Sequence, residues 1–142
     1  MTREDAVRLA QAALRAHGLP NSPGLNAQNY GGFDGWDGPV VFEYDPVRQM
    51  LTVLALCYRF RKPPRPGVIA GFQEEERRGT DTGGGAVEFR SDSGGLFLTR
   101  SYRHKTDPRR FVEETDELMR AARYWADEVL PNVADRVFGH DH

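Results

Sequence analysis

Apolar residues recur at three- and four-residue steps in two parts of the chain, one near each end. The first repeat occupies residues 3–17 and comprises Val7, Ala10 and Leu14. This spacing places the three side chains on one face of a helix. Thr2 stands before the repeat and Gly18 directly after it, as an N-cap and a C-terminal stop do. The pattern therefore predicts an N-terminal helix.

The second and longer repeat lies in the last third of the chain. Asp107 and Pro108 precede it, a combination typical of an N-cap followed by the first helical residue. The repeating positions are Phe111, Thr115, Leu118, Met119, Ala122, Trp125, Ala126, Val129 and Leu130. Pro131 is expected to end or kink this helix, because proline lacks an amide hydrogen and clashes with the preceding turn. A short apolar extension then runs to Gly139.

Between the helices the pattern changes to short runs rich in β-branched and aromatic residues. Residues 40–44 and 51–60 predict one β-hairpin, and residues 86–90 and 96–103 predict a second. Prolines break the chain after the first hairpin, and residues 68–79 favour a short helix. Residues 19–37 predict a long connection. We therefore expect one α+β domain over residues 1–142, in which an antiparallel sheet of two hairpins carries all three helices on one face.

Composition and charge narrow the class of protein. A formal charge of −2 over 142 residues gives no global attraction toward nucleic acids or anionic membranes, so neither partner is expected. The single cysteine excludes an intramolecular disulfide and a cysteine-based zinc site. The charged N-terminus is unlike a signal peptide, and no apolar run reaches the roughly 20 residues of a membrane span. These features predict a cytoplasmic protein.

The segment NYGGFDGWDGPVVFEYD, residues 29–45, offers the most distinctive candidate chemistry. Asp34 and Asp37 supply hard oxygen ligands beside glycines that permit tight turns. Their spacing does not match a calcium-binding hand, which needs alternating carboxylates and a closing glutamate. A metal site, a turn pinned by aromatic residues and an exposed docking surface remain open alternatives for this loop. The competing functional hypothesis is therefore a small-ligand-binding, metal-binding or enzymatic domain centred on residues 29–38.

Other reactive residues have a structural explanation. Cys57 lies within an apolar strand, where a thiol is usually buried and inert. His17 and His104 fall at element ends and no motif links them to Cys57. The glycine runs at 83–85 and 94–95 lack the lysine and hydroxyl residue of a phosphate-binding loop. We expect no catalytic residue, no metal and no cofactor.

The order of helix, hairpin, short helix, hairpin and long C-terminal helix resembles the type III secretion chaperone-like fold. This fold includes the Tir chaperone family and related sensory-transduction-like proteins. The closest local similarity is FVEETDELMRAARYWADEVL, residues 111–130, which resembles the closing helix of the family. The resemblance implies a homodimer without enzymatic activity that binds an extended segment of a secreted effector. Family members usually have three strands before the middle helix, whereas only two are predicted here.

Residues 51–60 give an independent reason to expect a binding protein. Apolar side chains occupy both faces of this predicted strand: Leu51, Val53, Ala55 and Cys57 alternate with Leu54, Leu56, Tyr58 and Phe60. One face can meet the helices, and the other needs a second cover, either a subunit or a client. We therefore predict protein contact and homodimerisation through the adjoining aromatic and apolar residues Tyr30, Phe33, Trp36, Leu54, Leu56, Tyr58 and Phe60.

Overall fold

A computed structural model describes residues 1–35 and 38–138. Its helices are α1 Arg3–Ala16, α2 Val68–Arg77, α3 Pro108–Tyr124 and α4 Leu130–Phe138, with a π-helical turn over Trp125–Val129 between the last two. Its strands are β1 Tyr30–Gly35, β2 Gly38–Asp45, β3 Met50–Arg59, β4 Ala86–Arg90 and β5 Gly95–Tyr102. The five strands form one antiparallel sheet in the order β1-β2-β3-β5-β4. The predicted α+β class is confirmed.

The helices cover one face of the sheet. Helix α3 packs on β2, β3 and β5, α1 packs on α3, β1 and β2, and α2 packs beside β4 and α4. The core between these layers includes Leu9, Leu14, Phe42, Leu51, Val53, Leu98, Phe111, Leu118 and Trp125. None of the helices in the described part of the chain is long and apolar enough to cross a membrane.

The helix starts and the middle helix follow the sequence pattern. The Thr2 hydroxyl accepts the Asp5 N–H at 3.2 Å, as predicted for an N-cap. Asp107 stands at the N-cap of α3 and Pro108 opens it, although the Asp107 side chain makes no capping hydrogen bond. Gly71 does not prevent α2 because its missing side chain admits α4. A Cβ at this position would lie 2.7 Å from Val133 Cγ1.

The prediction of a long connection over residues 19–37 is wrong for residues 30–35. Residues 30–35 form β1, which pairs along its length with β2. Glycines lower strand propensity, but they permit the close contact that seats this strand. A Cβ on Gly31 would lie 1.9 Å from the Gly24 carbonyl oxygen. With β1, three strands precede the middle helix.

A β-bulge changes the faces that simple alternation assigns to β3. Leu56 pairs with Phe97 and Tyr58 pairs with Leu96, with a register shift between them. Because Leu96 and Phe97 are consecutive in β5, their side chains point to opposite faces of the sheet. The prediction that Tyr58 and Phe60 share a face with Leu54 and Leu56 is therefore wrong.

The C-terminal helix passes Pro131 through a local change of helix type. The residues before the proline form the π-helical turn, in which the Leu130 N–H donates to the Trp125 carbonyl, five residues back. In an α-helix the proline ring would clash with the carbonyl four residues earlier, that of Asp127. The wider turn relieves this clash. Gly139, the predicted end of the extension, lies outside the described residues.

Thr115 on α3 provides a test of core energetics. It is 1% exposed, and its hydroxyl is the only buried side-chain polar atom without a hydrogen-bond partner among the described residues. Thr115→Val replaces the hydroxyl with a methyl group of similar shape, so we expect an increase of about 1 kcal/mol in the free energy of unfolding. Urea denaturation measures this. Thr115→Ser keeps the hydroxyl and loses a methyl group, so it should destabilise, and a destabilised valine variant would contradict the assignment.

Candidate functional site

The outer edge of β1 presents backbone groups that the sheet leaves free. Both backbone groups of Tyr30 point away from β2: its N–H donates to Asn26 Oδ1 at 3.0 Å, and its carbonyl accepts the Asn26 N–H at 2.7 Å. Backbone direction alternates along a strand, so Gly32 and Asp34 also direct their N–H and C=O groups outward. Within the described residues no other segment pairs with them. This edge can accept an added strand.

The opposite edge of the sheet is partly closed by the protein itself. Helix α2 packs beside β4, and Glu76 Oε1 accepts the outward N–H of Val87 at 2.8 Å. A carboxylate bound in this way occupies a position that a partner strand would need. The two edges of the sheet are therefore not equivalent, and β1 is the more accessible of them.

The face of the sheet without helices is concave and largely polar. Glu43 on β2 and Arg90 on β4 form an ion pair at 2.6 Å, although β3 and β5 lie between their strands. The sheet must therefore curve toward this face. Leu54 and Phe97 are buried, at 1% and 6% exposure. A cavity of about 450 Å³ opens here, lined in part by Tyr30, Glu43, Thr52, Glu88, Arg90, Thr99 and Ser101.

The predicted contact residues are distributed over different parts of the fold. Tyr30 is half-exposed at the β1 edge, and Phe33 is buried, with its ring stacked on His17 at 4.4 Å. Trp36 lies outside the described residues. Leu54 and Leu56 are on the concave face, where Leu54 is buried and Leu56 half-buried. Those of them that the structure describes do not form one continuous surface, and the role of the predicted residues in partner binding stays a prediction.

Tyr58 and Phe60 lie beyond the bulge, at the end of β3. Tyr58 is 47% exposed, and its ring meets Phe60 edge-on at 4.9 Å. The centroid of the Phe60 ring lies 6.0 Å from that of Phe89 and 6.5 Å from that of Phe72. This aromatic cluster connects an exposed tyrosine with the core.

The described part of the competing ligand site, residues 29–38, lies mostly on strands, because residues 30–35 form β1 and residue 38 begins β2. Asp34 is exposed on β1 opposite Pro39, and Asp37 lies outside the described residues. Over residues 1–35 and 38–138, no group of three or more His, Cys, Asp or Glu side chains is arranged to hold a metal ion. The hydrogen-bond partner of His17 is Asp116 of α3, with its Oδ1 3.0 Å from His17 Nε2, and not Cys57.

Cys57 is buried in the core. Desolvation by burial raises the pKa of its thiol to about 12, against a smaller lowering by a backbone hydrogen bond from Leu98. Because the thiolate is the reactive form, we expect an aromatic disulfide reagent at pH 8 to modify the folded protein at least about a hundredfold more slowly than the urea-unfolded chain. Equal rates would contradict this burial.

The raised pKa of Cys57 also predicts a dependence of stability on pH. The thiol loses its proton near pH 9 in the unfolded chain and near pH 12 in the folded protein, so the free energy of unfolding should fall as pH rises from about 9 toward 12. Cys57→Ala should lessen that fall.

A charged cluster between α3 and β5 was not predicted from the sequence. Glu114 on α3 is 8% exposed and forms an ion pair with Arg100 of β5. It also accepts the Tyr102 hydroxyl at 3.3 Å, and Arg110 Nε lies 3.6 Å from it. The signal was present in the alternation of β5, where Arg100 occupies the inward position between Leu98 and Tyr102. A charge at an inward position requires a partner in the covering layer.

Comparison with solved structures identifies the fold. A chain in the crystal structure of the ExsC–ExsE complex superposes with a TM-score of 0.70 and 15% identity, covering 90% of this chain and 96% of that chain. A chain in the structure of the HopA1–SchA chaperone–effector complex gives a TM-score of 0.63 and 16% identity, covering 88% and 95%. No protein-family model matches the sequence, and no curated protein matches it significantly. The chain therefore has a type III secretion chaperone-like fold, as the order of its elements predicted.

Proposed function

We propose that this protein is a non-enzymatic chaperone of the secretion type, which binds an extended segment of a protein client as an added strand at the β1 edge. The observation that carries the proposal is the outward direction of the backbone groups of Gly32 and Asp34. An extended segment pairs with such an edge through main-chain hydrogen bonds. The similarity in fold to chains of the ExsC–ExsE and HopA1–SchA complexes supports a protein partner.

Side chains around the edge support this choice of site. Tyr30 is 50% exposed at the start of β1, so its ring is available for contact with a client side chain. A shallow depression of about 360 Å³ lies over β1 and β2 and is lined by Gly31, Gly32, Phe33, Asp34, Pro39, Val40 and Val41. The glycines allow another backbone to approach closely. Strand addition at β4 would instead have to displace Glu76.

Affinity capture followed by hydrogen exchange tests the proposal. The tagged protein is used to capture clients from a lysate of its native host, and mass spectrometry identifies them. Hydrogen exchange on the purified complex should then show new protection at residues 32–34.

Tyr30→Ala should weaken client binding by about tenfold, because it removes the exposed ring at the start of β1. Val47→Ala is the control and should not weaken binding, although Val47 is 91% exposed. Protection at residues 86–90 without protection at 32–34 would move the site to β4, and absence of any captured client would contradict a chaperone role.

The proposed assembly is a cytoplasmic homodimer that contacts its partner subunit around Tyr58. The exposed ring of Tyr58 offers an apolar surface that closed twofold pairing can bury. The lone cysteine is consistent with a reducing compartment. Light scattering over a micromolar concentration series should report about twice the 16.0 kDa chain mass.

A pair of tyrosine variants tests the dimer contact. Tyr58→Asp places an unpaired charge in the proposed interface, where its desolvation should weaken association. Tyr124→Asp is the matched control because Tyr124 is also 47% exposed but lies on α3. A 16 kDa particle for the wild type, or equal effects of the two variants, would contradict this contact.

A further inference from the structure

A second cavity lies at the end of the sheet away from the α1 N-terminus. It encloses about 290 Å³ between the end of β3, the proline-rich segment after it and the β4–β5 turn. Its apolar lining consists of Phe60, Pro63, Pro64 and Phe89. The Phe60 N–H donates to the Gly94 carbonyl at 2.8 Å, which ties the two sides of the cavity together. Its volume suits one or two apolar side chains rather than a large ligand.

The rim of this cavity is positively charged, although the whole chain is not. Arg61 and Lys62 line the rim and are exposed, and Arg59 is exposed two residues earlier. None of the ion pairs found among the described residues includes these three cations. Asp92 is the acidic residue of the lining, so Arg61, Lys62 and Asp92 together leave the lining with a net charge of +1. The chain has a net charge of −2, but the local charge around this apolar cavity is positive.

We propose that this cavity is a selectivity site for the client, which takes an apolar side chain flanked by aspartate or glutamate. The aromatic and proline walls bind the apolar group, and Arg61 and Lys62 attract the flanking carboxylates. Complementary charge around an apolar contact contributes more to the choice of partner than to the affinity. A basic client segment would place like charges against the rim. This inference rests on the proposed binding of a protein client, but it concerns a surface separate from the β1 edge.

Charge-matched peptides test this selectivity directly. The probes are fluorescein-labelled 12-residue peptides that differ in one central triplet: Asp-Phe-Asp, Ser-Phe-Ser, Lys-Phe-Lys or Asp-Ala-Asp. Fluorescence anisotropy with the full chain should show about tenfold tighter binding of Asp-Phe-Asp than of Lys-Phe-Lys. Ser-Phe-Ser should be intermediate, and Asp-Ala-Asp should bind more weakly than Asp-Phe-Asp. The preference should shrink as salt is raised, because exposed charges are screened.

Charge reversal at the rim distinguishes a local effect from a change in net charge. Arg61→Glu/Lys62→Glu should reverse the order of the acidic and basic peptides. Arg15→Glu/Arg109→Glu changes the net charge equally at exposed positions on α1 and α3, and it should leave the order unchanged. Light scattering on both variants checks that the oligomeric state is retained.

Several outcomes would overturn the inference. These are equal affinity for the acidic and basic peptides, no saturable binding of any peptide, an equal effect of the two double variants, or tighter binding of a 12-nucleotide single-stranded DNA than of the acidic peptide. Each leaves the proposed function standing if the captured client still protects residues 32–34. Conversely, selective peptide binding without any captured client would support the rim and contradict the chaperone role.

Discussion

Trp125→Ala is expected to lower the free energy of unfolding by about 3–5 kcal/mol. The indole is fully buried, and its ring meets Phe72 of α2 at 6.3 Å. Its Nε1–H donates to the Asp81 carbonyl at 2.7 Å. Truncation therefore leaves a cavity between α2 and the C-terminal helix and removes the donor to the segment before β4. Such a loss is a large fraction of the stability of a typical domain.

Urea denaturation of three variants separates these contributions. Trp125→Phe keeps an aromatic ring and loses the hydrogen bond, so we expect a smaller loss than in the alanine variant, about 1–2 kcal/mol. Tyr124→Ala is the control, because the neighbouring residue is 47% exposed and should change stability by less than about 0.5 kcal/mol. A shift below about 1 kcal/mol for Trp125→Ala would show that this helix face does not pack as described.

Glu114→Leu is expected to be the second most damaging substitution, with a loss of about 2–3 kcal/mol. It removes the carboxylate that pairs with Arg100 and accepts the Tyr102 hydroxyl. Removing one partner of a buried pair leaves the other charge in a poorly solvated position. The Arg100 side chain retains 25% exposure, and solvent screening therefore places the expected loss below that of a fully buried pair.

A double-mutant cycle tests whether the loss arises from the unpaired charge. Arg100→Met/Glu114→Leu removes both charges, so it should be more stable than Glu114→Leu alone. Arg77→Ala breaks an exposed pair with Glu74 and should change stability by no more than about 0.5 kcal/mol. If the double variant is as unstable as the sum of the two single variants, the coupling between Arg100 and Glu114 is negligible and the explanation is wrong.

Part of the candidate site was visible in the sequence only as residue types. Tyr30 and Tyr58 were predicted as contact residues, and both are about half-exposed. Phe33 was predicted with them but is buried against His17, because a contact between residues distant along the chain decides its environment. The free edge at Gly32 and Asp34 was not predicted, since glycine-rich segments carry no strand signal and backbone direction depends on pairing. The rim around Arg61 and Lys62 also needed the fold, because Phe89 and the β4–β5 turn complete the cavity from another part of the chain.

The sequence by itself determined the elements whose signals are local. The two amphipathic helices, the two hairpins, the short middle helix and the α+β class follow from hydrophobic spacing, caps and turn residues within about 20 positions of one another. Tertiary structure decided what depends on pairing between distant segments. Strand β1 forms because β2 is available beside it and Gly31 admits Gly24. The bulge after Leu56 is defined by the pairing of β3 with β5, which lies far along the chain, and it moves Tyr58 to the other face. Local preference is weak for such segments, and the free energy gained by long-range packing and hydrogen bonding outweighs it.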